Sequence, residues 1–93
     1  MNVLLVGQGY VGLRVSMAAV HAGFHVTGFD TDPSKTDLLA DGGSHVEDIP
    51  PATVRAALDS GRYRVLSDSA ELGEFNVAVI TVPTPLTDGA PDL

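Results

Sequence analysis

Short continuous apolar runs alternate along the chain with segments whose apolar residues recur every three or four positions. Val3 to Val6 is a run of the first kind, expected of a parallel strand covered on both faces. Beyond Gly7, Gly9 and Gly12, the residues Val11, Val15, Ala18, Ala19 and Ala22 fall on one helical face, small enough to let a helix approach a sheet. Gly23 stands where a C′ glycine ends such a helix. Leu13, Met17 and Val20 form a second apolar stripe on that helix, which four strands alone leave poorly covered. His25 to Phe29 predicts a second strand that delivers Asp30 to its carboxyl edge.

Asp32 caps a predicted short helix that has Pro33 at its first position and runs to about Ala40, before Gly42 and Gly43 break it. Ser44 to Pro51 is loop-like. From Pro51 or Ala52 the pattern Val54, Ala57, Leu58 predicts a helix ending at Gly61, with Tyr63 to Leu66 as a third strand. Asp68 to Gly73 suits a helical turn, and the β-branched run Val77 to Val82 a fourth strand. Pro83, Pro85, Gly89 and Pro91 then enforce irregular structure. Alternating strands and helices predict a parallel sheet with right-handed crossovers, in the spatial order third, second, first, fourth. The fourth strand is then an open apolar edge, which suggests a natural protein extending past Leu93.

Composition narrows the function. A chain of 93 residues makes at most one small domain. Its 44% hydrophobic and 18% charged residues give an ordinary globular balance. The net charge of -7 and the scattering of only five Lys and Arg argue against a nucleic-acid partner. The lack of cysteine excludes disulfides, thiolate zinc sites and cysteine nucleophiles within these residues. Met1 to Val20 has no basic leader and is interrupted by Gly7, Gln8, Gly9 and Gly12, so it reads as folded structure rather than a signal peptide. No apolar run reaches the roughly 18 to 20 residues of a membrane span, and a soluble cytoplasmic protein is expected. His21, His25 and His45 have no partners at metal-site spacing, and no metal is expected. Glu47 and Asp48 are adjacent acids that point apart on an extended loop, which suits solvated or helix-capping roles.

The chemistry sits in Gly7, Gly9 and Gly12, which spell G-x-G-x-x-G between a predicted strand and a predicted helix. Asp30 follows eighteen residues after Gly12, near the spacing of about 20 that the dinucleotide motif requires. Gly7 allows the tight turn, Gly9 removes a side chain that would hold a pyrophosphate off the backbone, and Gly12 permits close packing of helix on strand. Free N–H groups of residues such as Tyr10 and Val11, with the helix dipole, can compensate the phosphate charge. Asp30 can accept hydrogen bonds from the adenosine ribose and would repel a 2′-phosphate, so NAD is expected over NADP; Lys35, one turn into the next helix, could soften that repulsion or simply be solvated. The fold class is α/β: a partial Rossmann fold with a four-stranded parallel sheet of order 3-2-1-4 and flanking helices.

Three runs, Gly9-Tyr10-Val11-Gly12-Leu13, Gly28-Phe29-Asp30-Thr31-Asp32-Pro33-Ser34-Lys35 and Val82-Pro83-Thr84-Pro85-Leu86, resemble the N-terminal NAD-binding domain of the UDP-glucose/GDP-mannose dehydrogenases. Ser44-His45-Val46-Glu47-Asp48-Ile49, Gly61-Arg62-Tyr63 and Asp88-Gly89-Ala90-Pro91-Asp92-Leu93 fit the same family, so the resemblance spans the chain in order. It implies a cofactor site in which Tyr10 and Val11 meet the pyrophosphate and Asp30 and Lys35 the adenosine portion. Val82, Pro83 and Thr84 belong to the same implied site, with Thr84 contacting bound NAD. It further implies a homodimeric parent of polysaccharide biosynthesis that oxidises the 6-hydroxyl of a UDP- or GDP-sugar to the uronic acid, using two NAD in succession and a covalent cysteine. The sugar-binding and catalytic residues of that family belong to later domains, so residues 1–93 are read as the N-terminal part of the cofactor domain, inactive alone. Arg14 departs from the proline often found after the Gly-Tyr-Val-Gly-Leu run. Two alternatives stay open: a stand-alone NAD-sensing regulatory module, and the front half of another NAD-dependent dehydrogenase of 6-phosphogluconate type.

Overall fold

Strand β1 (Asn2–Val6) lies inside the sheet, which is why its run is continuously apolar: Val3, Leu4 and Leu5 are all buried. It pairs in parallel with β2 (His25–Phe29) on one side and β4 (Val77–Ile80) on the other, and β3 (Tyr63–Leu66) adds outside β2. The order β3-β2-β1-β4 is the one the alternation of elements predicts. This computed structural model describes residues 1–81 and, beyond them, the backbone of a short antiparallel pair, β5 (Leu86–Thr87) and β6 (Ala90–Pro91). Of the predicted fourth strand, Val77 to Ile80 is a strand, and Val82 lies outside the described residues.

Three helices follow from local signals. In α1 (Tyr10–His21) the chain leaves through Gly23 at φ +100, with Gly23 N–H donating to Val20 O and Phe24 N–H to Ala19 O, both at 3.0 Å. That pair of bonds is a Schellman closure, and the left-handed φ it demands suits glycine. Helix α2 (Pro33–Ala40) begins at Asp32, whose carboxylate accepts from Ser34 N–H at 3.1 Å, with Pro33 preset in the first turn. Helix α3 (Pro51–Asp59) also starts on proline. The predicted turn after β3 is a one-turn 3-10 helix, Ser69–Glu71, capped by Asp68.

The structure reverses the expected orientation of α1. Leu13, Met17 and Val20 enter the core, while Val11 and Val15 of the small-residue face are exposed. Both stripes have helical spacing, and burial of the larger side chains removes more apolar area from water. Close approach to the sheet comes instead from Gly12 and Ser16, which share the buried face. The loop before α3 also contributes more than its composition suggests. Val46 and Ile49 are buried in the same cluster as Leu5, Leu39, Val54 and Tyr63.

That cluster occupies one side of the sheet, where α1 packs on β2 and α3, and α2 on β3. Since strand side chains alternate, Leu4, Phe29 and Ile80 belong to the opposite side. Among the described residues β4 has no partner on its outer side, and its Ile80 is 69% exposed.

Candidate functional site

The carboxyl ends of β1, β2 and β4 converge on the glycine loop. Gly7 N–H donates to Phe29 O at 2.7 Å, and Thr81 N–H donates to Val6 O at 2.8 Å. Gly7 turns the chain at φ +96, a conformation that L side chains rarely adopt, and thereby starts the elbow that ends in α1. Its carbonyl accepts from the Thr81 hydroxyl at 3.0 Å and from Gln8 Nε2 at 3.1 Å. A Cβ on Gly12 would lie 1.7 Å from that same carbonyl oxygen, so the loop and the first turn of α1 are in direct backbone contact.

Gly9 differs from both. As the N-cap of α1 it has ordinary extended geometry, φ -78 and ψ -157, and a Cβ built on it meets nothing within 4 Å. Neither backbone conformation nor packing within the described residues requires glycine there. Beyond it, the N–H groups of Tyr10 and Val11 have no acceptor among the described residues, and no acidic residue occupies the first turn to oppose the positive end of the helix dipole. Among the described residues the elbow is bare on its outer side.

Asp30 borders the same space. Its carboxylate accepts Gln8 N–H at 2.8 Å through one oxygen and Asp32 N–H at 3.0 Å through the other, and Lys35 Nζ stands 3.6 Å away. Partial burial pushes the carboxyl pKa up, but the two amide donors and the Lys35 ammonium outweigh it, and the group is held below the usual aspartate value. It is ionised at neutral pH. A cleft of about 310 Å³ runs between these groups, lined by Val6, Gly7, Gly9, Phe29, Asp30, Thr31 and Lys35.

Of the predicted site residues, Gly7, Gly9, Asp30 and Lys35 therefore line one cleft. Gly12 lies beneath it, against Gly7, and Tyr10 and Val11 expose their side chains on the first turn of α1. Val82, Pro83 and Thr84 lie outside the described residues. Asp48, expected to be solvated or to cap a helix, is half-exposed, and it also accepts from the Tyr10 hydroxyl at 2.6 Å and pairs with Arg14. Arg14 also stacks 5.2 Å from the Tyr10 ring centroid. The pair is half-exposed, a setting in which such bridges contribute about 0.2–1 kcal/mol. Among the described residues no group of three or more His, Cys, Asp or Glu could hold a metal, and no helix is long and apolar enough to cross a membrane.

Sequence reasoning missed Gln8. Its side chain is fully buried under the loop: Nε2 donates to Leu5 O at 3.2 Å and Gly7 O at 3.1 Å, while Oε1 accepts from Tyr63 at 2.7 Å and Ser16 at 3.2 Å. The two carbonyl partners fix which end of the amide is nitrogen. Burial raises the Tyr63 hydroxyl pKa well above its ordinary value, so the phenol remains a donor. The available signal was Gly28, since glycine inside a strand often marks close approach of another group. A Cβ there would lie 2.5 Å from Gln8 Oε1.

The comparisons with known proteins agree with this geometry. The family model for the NAD binding domain of the UDP-glucose/GDP-mannose dehydrogenases matches residues 1–93. The UDP-N-acetyl-D-mannosamine dehydrogenase of Pyrococcus horikoshii is 29% identical over all of this chain and 22% of its own length. The UDP-glucose 6-dehydrogenase of Haloferax volcanii is 28% identical with the same coverage. A ternary-complex structure of GDP-mannose dehydrogenase from Pseudomonas aeruginosa superposes with a TM-score of 0.89 at 29% identity, over 99% of this chain and 22% of that one. The chain thus spans about a fifth of the length of these relatives. NAD is the cofactor indicated for a domain of this type, and a bare glycine elbow beside an ionised aspartate fits it. The chain belongs to the UDP-glucose/GDP-mannose dehydrogenase family, of which it is NAD-binding domain sequence.

Proposed function

We propose that this chain is the NAD-binding portion of a nucleotide-sugar 6-dehydrogenase, which oxidises the 6-hydroxyl of a UDP- or GDP-sugar to the uronic acid. The observation that supports the cofactor site is Gly9: a glycine that nothing among the described residues requires, beside amides that have no acceptor among them. Tyr10 and Val11 would present those amides to the pyrophosphate, aided by the dipole of α1. Gly7 and Gly12 would hold the elbow in shape, and Asp30 would accept from the adenosine ribose. NAD, when bound, supplies the hydride acceptor.

Lys35, paired with Asp30, would neutralise part of the carboxylate while leaving its ribose-facing role intact. Val82, Pro83 and Thr84, which follow β4 in sequence and lie outside the described residues, would also contact the cofactor. In this reading the substrate and catalytic domains, the family's covalent cysteine included, lie outside residues 1–93, which contain no cysteine. These residues alone would bind cofactor without turnover, and the whole protein would work as a cytoplasmic homodimer. The named activities of the relatives support the nucleotide-sugar class.

Calorimetric titration with NAD, NADP and ADP-ribose tests the cofactor part. NAD and ADP-ribose are expected to bind with similar affinity, and NADP more weakly. Asp30→Ala is expected to weaken NAD binding by about 1–3 kcal/mol, the range for a hydrogen bond to a charged group, and to narrow the NAD-to-NADP ratio. Unchanged NAD affinity in this variant would remove Asp30 from the ribose site. Conversion of UDP-glucose or GDP-mannose by the whole protein, with two NAD reduced per sugar, tests the reaction.

A further inference from the structure

Gln8 links four parts of the fold at one residue. Its backbone N–H is held by Asp30 at the end of β2, and its side chain reaches Leu5 O in β1, Ser16 in α1 and Tyr63 in β3. Both side-chain donors and the acceptor are engaged, at a residue with no solvent exposure. Gln8 also sits between Gly7 and Gly9, and its side chain holds Gly7 O, so its bonds tether the elbow that carries the α1 amides.

Tyr63 makes the shortest bond in this set, from 55 residues away in sequence. Its hydroxyl is buried, and Gly28 leaves room for it to meet the amide: a Cβ there would come within 3.1 Å of the hydroxyl and 2.5 Å of Oε1. A buried bond of that kind has two possible outcomes when cut. Either the amide stays put and only stability falls, or it turns to find water and draws the loop with it. The second is favoured because Oε1 would retain only the longer Ser16 bond, at 3.2 Å, leaving it poorly satisfied in a dry site.

We propose that Tyr63 is a positioning residue for cofactor binding, acting through Gln8 to fix the glycine loop at the height where the α1 amides and Asp30 face one ligand. The inference rests on the cofactor reading above and extends it to β3, an element that does not line the cleft.

The test is titration of the intact protein with NAD, comparing wild type, Tyr63→Phe, Gln8→Leu and the double variant, with amide exchange at Gln8 as a second readout. Tyr63→Phe keeps the ring and is expected to weaken NAD binding about tenfold. It should speed exchange of the Gln8 N–H while leaving β1 amides such as Leu5 protected. In the Gln8→Leu background, loss of the hydroxyl is expected to change affinity by less than about twofold, because the route is already cut. Wild-type affinity in Tyr63→Phe overturns the inference and leaves the cofactor reading standing. Equal, additive losses in both backgrounds also overturn it, since the hydroxyl would then act by another route. Absence of NAD binding by the wild type overturns the cofactor reading itself and the inference with it. Should Tyr63→Phe fail to fold, Gln8→Leu alone carries the test: it is expected to weaken NAD binding at least about tenfold with the Leu5 amide still protected, and wild-type affinity there overturns the proposal.

Discussion

Gly12→Ala is expected to destabilise the domain by at least about 3 kcal/mol, the upper part of the range for an overpacked site. In an isolated helix the same change would stabilise by about 1 kcal/mol, because glycine is a poor helix former. The sign reverses here because the added methyl meets backbone on one side and a side chain on the other. It would lie 1.7 Å from Gly7 O, 2.7 Å from Gly7 C and 2.6 Å from Thr81 Oγ1. A flexible side chain could yield, but Gly7 is held by its own N–H to Phe29 O and by the bonds its carbonyl accepts from Thr81 and Gln8. Relief therefore requires α1 to lift from β1, which unpacks Leu13 and Met17. Thermal unfolding should show a fall in Tm of more than about 10 °C for a domain of this size. A Tm equal to or above that of the wild type would mean that the helix and strand are not in backbone contact.

The division of labour among the three glycines shows how far the sequence could be read. Strand positions, the sheet order, the Asp32 cap and the Gly23 closure were legible because each depends on a local signal: an apolar run, a capping oxygen, a glycine where φ must be positive. The G-x-G-x-x-G spacing with Asp30 pointed to residues that the structure brings together, with Gly7, Gly9, Asp30 and Lys35 around one cleft. The inner face of α1 was not legible, because Val11, Val15 and Ala18 and the competing set Leu13, Met17 and Val20 have equally good helical spacing. Only the depth available above β1 and β2 decides between them, and that is a property of the assembled sheet. Val46 and Ile49 escaped for a related reason: irregular backbone has no period to reveal which side chains turn inward.

The Gln8 network was hidden because its partners are far apart in sequence. Gln8 and Tyr63 meet only after β3 has paired with β2, and nothing near either residue announces the other. Asp48 likewise gains its partners, Tyr10 and Arg14, only when the loop before α3 folds back on the first turn of α1. A local pattern can identify a glycine loop, whereas the side chains that fix its height arrive from non-local packing.

Gly9→Val is expected to do the opposite of Gly12→Ala: to leave the fold nearly intact and remove cofactor binding. The backbone at Gly9 is already in an extended region open to any L residue, and the space beyond its Cβ position is empty among the described residues. The folded state therefore loses only N-cap preference, on the order of 1 kcal/mol. The same branched side chain would occupy the volume through which a diphosphate must approach the Tyr10 and Val11 amides. Two hydrogen bonds to a charged group contribute roughly 1.5–3 kcal/mol each, so their loss alone corresponds to a weakening of about a thousandfold. Circular dichroism should show helical content close to that of the wild type, while calorimetry with NAD should show no saturation at concentrations that saturate the wild type. Near-normal NAD affinity in a folded Gly9→Val protein would place the pyrophosphate elsewhere, since no diphosphate could reach these amides past a valine. Comparison with Gly12→Ala then separates the two reasons for glycine in the motif: one position is kept bare by the protein's own backbone, the other by the ligand.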